Sequence, residues 1–177
     1  MSRRAVFLDR DGVINRAEVR EGKPYPPANL EVMDLLPGVP AALQALHAAG
    51  WMLIVVTNQP DVARGTTLRA VVEAINEHLA RILPIDEFRT CYHDSGDGCD
   101  CRKPLPGALL AAAQEHDIDL GRSFMVGDRW RDVEAGQRAG CKTVFIDYGY
   151  AEKQPESCDY KVHSLQEAAT IILGEMK

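Results

Sequence analysis

The sequence predicts an α/β fold built on a mostly parallel sheet. Short apolar runs rich in β-branched residues alternate with segments of helical period. Polar and ionisable residues follow several of those runs directly, at Asp9, at Thr57 and Asn58, and at Asp128. Open parallel sheets gather their ligands beyond the carboxyl ends of the strands, so these positions should share one rim.

Each element has its own signal. Ala5–Leu8 is apolar and stops at Asp9, as a buried strand would. Residues 37–49 read as a helix, with Pro near the start, Val39, Leu43 and Leu46 at helical spacing, and Gly50 just past the end. Residues 51–57 form a second strand. Thr66 or Thr67 is placed to cap a helix running to about Leu83, with Leu68, Val71, Val72, Ile75, Leu79 and Ile82 on one stripe. Then follow a short strand (88–92), a helix (106–116), a strand (124–126) and a helix (131–139) closed by Gly140. Lys142–Ile146 and Tyr160–Val162 are further strands, and Ser164 caps the last helix. Residues 15–36 and 148–158, rich in Pro, Gly, Tyr and charge, read as loops. With no internal repeat and no linker, residues 1–177 are expected to form one domain, with 91–101 as an inserted loop.

Composition narrows the partners. The 177 residues are 46% apolar and 26% charged, ordinary values for a folded domain. Twenty Lys and Arg against 26 Asp and Glu leave a net charge of −6, which does not attract nucleic acid or an anionic membrane. The longest apolar runs, such as residues 51–56, are far short of the roughly 20 residues a membrane helix needs. The apolar stretch after Met-Ser-Arg-Arg ends at Asp9, too soon for a secretory signal, so a cytoplasmic protein is expected. Five cysteines in a reducing compartment are not expected to form a disulfide framework.

Two acidic stretches carry the chemistry. Asp9-Arg10-Asp11-Gly12 reads either as a simple turn or as paired carboxylates, one a nucleophile and hard-cation ligand, the other a general acid and base. In Gly127-Asp128-Arg129-Trp130-Arg131-Asp132, Asp132 suits the first turn of a helix, where its charge meets the positive end of the dipole. Asp128 lies between strand and helix. Mg²⁺ takes oxygen ligands, and Asp9, the Asp11 backbone carbonyl and Asp128 could supply them. Thr57-Asn58 could hold a phosphoryl oxygen, though a turn explains that pair equally. Arg102-Lys103 could bind phosphate or be an ordinary surface pair.

Cys91, His93, Cys99 and Cys101 supply three thiols and one imidazole within a short loop, the donor set of a closed tetrahedral Zn²⁺ site. Such a site has no open position, so its expected role is to fold the loop. Cys141 reads as a core residue and Cys158 as a loop residue.

Taken in order, Asp-x-Asp-Gly-Val, Thr-Asn, Lys-Pro and Gly-Asp-x-x-x-Asp resemble the four motifs of the haloacid dehalogenase (HAD) superfamily phosphatases. The cysteine loop followed by Arg-Lys-Pro is similar to the group of heptose-bisphosphate and histidinol-phosphate phosphatases within it, over about residues 5–173. The resemblance implies a Rossmann-like three-layer sandwich of the capless type with a zinc-bound loop. It implies that Asp9 forms an aspartyl-phosphate and that Asp11 protonates the leaving oxygen and then activates water. Mg²⁺ would be held by Asp9, Asp11 and Asp128, and the phosphoryl group by Thr57 and Lys103. Arg102, Asn58, Gln59 and Arg129 would contact substrate, with Arg20 a further candidate.

The implied reaction is removal of the 7-phosphate of D-glycero-D-manno-heptose 1,7-bisphosphate, a small phosphorylated sugar, by a monomer. The alternative within the class is histidinol phosphate or another small sugar phosphate. Outside it stand a zinc-stabilised binding module without turnover and a phospho-accepting switch, which has no need of Asp11. The chain departs from the group at Pro60-Asp61, where a Ser-Gly pair is usual. Proline removes a backbone donor, and the added carboxylate repels a second phosphate.

Overall fold

The computed structural model describes residues 2–175. In chain order the strands are β1 (Ala5–Leu8), β2 (Glu18–Arg20), β3 (Lys23–Tyr25), β4 (Met52–Asn58), β5 (Glu87–Cys91), β6 (Phe124–Gly127), β7 (Lys142–Ile146) and β8 (Tyr160–Val162). The helices are α1 (Val39–Ala48), α2 (Arg69–Ile82), α3 (Gly107–His116), α4 (Trp130–Ala139) and α5 (Leu165–Gly174). Six strands pair in the order β5-β4-β1-β6-β7-β8, every neighbour parallel. Side chains alternate across this sheet. Val6, Leu8, Leu53 and Val55 meet Leu43, Leu79 and Ile172 of α1, α2 and α5 on one face. Ala5, Phe7, Ile54 and Val56 meet Leu109 and Ala112 of α3 and Ala139 of α4 on the other, which completes three layers. Among the described residues, no helix is long and apolar enough to cross a membrane.

The helix ends follow the sequence signals with one exception. Ser164 Oγ accepts from the Glu167 amide at 3.1 Å, and Gly140, at φ 87°, closes α4. Thr66 and Thr67, however, do not cap α2. Leu68 occupies that position with no side-chain bond, and both threonine amides bind the Asp61 carbonyl, closing the preceding loop instead. Residues 15–36 are also more ordered than expected. β2 and β3 form an antiparallel hairpin with Arg20 opposite Lys23, and its two turn residues, Glu21 and Gly22, both have positive φ. That geometry favours Asn or Gly at both sites, and a glutamate there hides the turn from a reading of the sequence.

Because the sheet is parallel, one rim receives Asp9 from β1, Thr57 and Asn58 from β4, Cys91 from β5 and Asp128 from β6.

Candidate active site

The floor of the rim is a buried charge cluster. Asp9, Asp128 and Asp132 are 7%, 1% and 2% exposed, and Lys103, between them, is 2% exposed. The Lys103 ammonium donates to Asp9 Oδ1 (2.8 Å), to the Val56 carbonyl (2.6 Å) and lies 2.7 Å from Asp132 Oδ1. That uses its three N–H bonds. Burial opposes the charge on Lys103, but Asp132 and Asp9 outweigh it and hold the ammonium above its usual range. Asp132 Oδ2 also accepts from the Arg129 amide at 3.0 Å, so this residue starts α4, as its sequence position suggests, and in addition anchors Lys103.

One ammonium does not balance three carboxylates. Burial, then the charge of Asp132, push Asp9 up to about 6, against the pull of Lys103. Burial, then Asp9 and Asp132, push Asp128 well above the carboxylate range. Asp128 Oδ2 accepts from the Tyr150 hydroxyl at 2.7 Å, whereas Oδ1 is buried without a partner. One carboxylate oxygen from each of Asp9, Asp128 and Asp132 falls within a 4.8 Å cluster. An orphaned buried oxygen and excess negative charge fit a hard divalent cation. Glycines make the room: a Cβ at Gly12 (φ +86°) would lie 2.0 Å from Asp128 Oδ2, and one at Gly127 would lie 2.1 Å from Asp132 Cβ.

Asp11 stands at the edge of this floor, held by three residues. Arg10 Nε (3.1 Å) and Asn15 Nδ2 (3.0 Å) bind Oδ1, and Gln59 Nε2 (2.8 Å) binds Oδ2. Arg10 is wholly buried, and its Nη1 donates to Asn76 Oδ1 of α2 at 2.8 Å. Sequence reasoning passed over Arg10, Asn15 and Asn76. An arginine between the two aspartates that follow an apolar strand is the one available signal.

Above the floor opens a cavity of about 280 Å³, which Asp9, Asp11, Asn58 and Lys103 reach from below. Lys23 to Pro26 of the hairpin, Asp61 and Arg64, Arg102, and Arg129 with Arg131 form its walls. Asn58 lines it while its amide clasps Lys103, donating to the carbonyl and accepting from the amide, both at 3.0 Å. Arg129 donates Nε to Glu152 at 2.9 Å. Thr57 is buried beside the floor, its hydroxyl accepting from Gln59 at 3.0 Å. Two expectations change. Gln59 does not line the cavity, and its amide is spent on Asp11 and Thr57. Arg20 does not line the cavity: on the exposed hairpin it is paired with Glu18 at 2.7 Å and stacked on Tyr25.

The cysteine loop forms a second cluster. Cys91 Sγ lies 3.7 Å from Cys99 Sγ and 3.5 Å from His93 Nδ1, which is 3.3 Å from Cys101 Sγ. Tetrahedral zinc with bonds of about 2.1–2.3 Å sets such edges at roughly 3.5–3.8 Å, so the donor set fits that ion. Arg102 and Lys103 follow directly, and Arg64 donates to Asp94 of the same loop at 2.7 and 2.8 Å.

Comparison with known proteins agrees with this geometry. Residues 100–168 match the HAD-hydrolase-like family model. The chain is 36% identical to the D-glycero-beta-D-manno-heptose-1,7-bisphosphate 7-phosphatase of Pasteurella multocida, over 97% of this chain and 98% of that one. It is 35% identical to the Escherichia coli K12 protein of the same name, over 98% and 95%. The crystal structure of D,D-heptose 1,7-bisphosphate phosphatase from B. bronchiseptica, complexed with magnesium and phosphate, superposes with a TM-score of 0.82 at 31% identity, covering 97% of this chain and 99% of that one. With this fold, and with relatives at 35–36% identity over nearly the whole chain, the chain belongs to the HAD-like hydrolases, in the family of the heptose-1,7-bisphosphate 7-phosphatases.

Proposed function

We propose that the protein is a magnesium-dependent phosphomonoester hydrolase that removes the 7-phosphate of D-glycero-D-manno-heptose 1,7-bisphosphate. The observation that carries this reading is the buried Asp9–Lys103–Asp132 cluster at the base of an arginine-walled cavity, with Asp11 at its edge. An Asp9 oxygen attacks phosphorus while Asp11 gives its proton to the leaving sugar oxygen, and an aspartyl-phosphate results. Water then attacks that phosphorus, Asp11 takes the water's proton, and inorganic phosphate leaves with the Asp9 carboxylate restored.

Asp9, Asp128 and the Asp11 carbonyl would hold Mg²⁺, which when bound offsets the charge between phosphate and nucleophile. Lys103, its N–H bonds engaged, acts on the phosphoryl oxygens through its charge, the Thr57 hydroxyl has its own proton to give them, and positioning supplies much of the rest. Arg102, Arg129 and Asn58 face the sugar or its second phosphate. Zn²⁺ on Cys91, His93, Cys99 and Cys101 fixes the loop that delivers Arg102 and Lys103. The reading includes a single domain acting as a cytoplasmic monomer.

A panel of both heptose 1,7-bisphosphate anomers, histidinol phosphate and fructose 1,6-bisphosphate tests it. The highest kcat/KM should fall on a heptose bisphosphate. Highest efficiency on histidinol phosphate would overturn the substrate, and no Mg²⁺-dependent phosphate release from any ester would overturn the activity.

A further inference from the structure

The segment that follows β7 reads as a plain loop in sequence, yet it returns to the site at four points. Tyr148 donates its hydroxyl to the Gly12 carbonyl at 2.9 Å, and Tyr150 donates to Asp128 Oδ2 at 2.7 Å. The Ala151 amide donates to the Gly22 carbonyl at 2.8 Å, which ties the loop to the hairpin, and Glu152 receives the Arg129 guanidinium. The two tyrosine rings lean on each other with centroids 5.5 Å apart. Three of these contacts brace the backbone or a wall of the cavity. Tyr150 alone touches a carboxylate of the floor.

That contact makes the two oxygens of Asp128 unequal. Oδ2 is engaged by the phenol and lies so near Gly12 that a Cβ there would come within 2.0 Å of it. Among the described residues, Oδ1 is buried with no partner. A carboxylate free to turn about its last torsion offers a cation either oxygen and loses that freedom on binding. One already held at Oδ2 presents Oδ1 from the start. The chemistry of the donor matters too. A lysine or arginine here would cancel the charge that draws a cation, whereas a neutral phenol orients the group and leaves its charge intact.

We propose that Tyr150 is a positioning residue for the cation: by holding Asp128 Oδ2 it fixes Oδ1 as the metal-facing oxygen and raises the affinity of the site for Mg²⁺. The proposal rests on the reading of Asp9 and Asp128 as cation ligands. Hydrogen-bond partners of metal ligands typically carry about 10- to 100-fold in metal affinity.

Tyr150→Phe keeps the ring and removes only the hydroxyl. Calorimetric titration of Mg²⁺ into magnesium-free, zinc-loaded protein should show a Kd about tenfold weaker than wild type. The Mg²⁺ concentration for half-maximal activity should rise in parallel, and kcat should recover at saturating Mg²⁺ with KM for the phosphate ester unchanged. Tyr160→Phe, on the edge strand β8 with its hydroxyl donating to Glu175 at the end of α5, should match wild type in every readout. An unchanged Kd in Tyr150→Phe, or a loss of kcat that Mg²⁺ does not restore, would overturn the role of Tyr150 alone. A wild-type protein that binds no Mg²⁺ would overturn the cation site itself.

Discussion

Lys103 and Asp132 meet at 2.7 Å beneath the cavity, each 2% exposed. A side chain at the start of α4 thereby fixes the ammonium carried by the loop after the cysteine cluster. Removing one partner of a buried ion pair costs about 3–5 kcal/mol where the other charge is left alone, but Lys103 keeps Asp9, so the cost here is that of a lost charged hydrogen bond, about 1–3 kcal/mol. Asp132→Asn keeps the shape and removes the charge. Chemical denaturation should show a loss on that order, with kcat falling at least tenfold. Wild-type stability and kcat in this variant would reduce Asp132 to a helix-start residue.

Asp9 makes the magnesium-free protein sensitive to pH. Its pKa rises from 3.8 to about 6 in the fold, mainly through burial and then through Asp132. A raised carboxylate favours the folded state when protonated. Its stabilisation is therefore complete below the unfolded value and is lost as pH climbs through about 6. Asp128 moves in the same direction. A cation requires the ionised forms, so the rise in Tm produced by saturating Mg²⁺ should be small near pH 5 and grow as pH climbs through about 6. Asp9→Asn should remain folded, abolish turnover and flatten this profile. A Mg²⁺ shift equally large at pH 5 would place the cation elsewhere.

The cluster of Cys91, His93, Cys99 and Cys101 should act through structure. Cys99→Ser removes a thiolate from the four-residue set, so zinc content and Tm should fall together. Activity should fall as well, because Lys103 enters the floor only four residues after Cys99. Elemental analysis beside a melting curve decides this, and unchanged zinc stoichiometry would refute the ligand set.

The sequence made some of these parts legible and hid others for physical reasons. The strands and the rim were readable because apolar runs and the polar residues that end them are local signals. Asp9, Asp128 and the cysteine cluster stand within or beside such signals. The residues around Asp11 were not readable in the same way. Arg10, Asn15 and Asn76 come from a strand end, a turn and the middle of α2, and only the folded chain brings them to one network. Gln59 has the composition of a pocket residue, but its burial and its bonds to Asp11 and Thr57 follow from where β4 ends. Arg20 was misplaced because the hairpin turn, with Glu21 at φ 50°, carries no usual turn signature.

Asp61 bears directly on substrate choice. It lines the cavity, and its Oδ1 lies 3.4 Å from Arg64, whose other nitrogens are engaged by Asp94. The carboxylate is therefore only partly neutralised where a doubly charged phosphate would approach. Across about 6 Å of wet cavity, each unit of like charge costs under ~1 kcal/mol. Asp61→Asn removes that repulsion and keeps the side-chain shape. KM for the 1,7-bisphosphate should fall roughly threefold, more at low salt than at high salt, because screening weakens the original repulsion. KM for a substrate with a single phosphate at C7 should stay unchanged, since its phosphate sits at Asp9 in both proteins. If both substrates improved equally, Asp61 would be acting on the catalytic floor. If neither did, Arg64 would already cancel its charge, and Pro60-Asp61 would carry no electrostatic penalty for the bisphosphate.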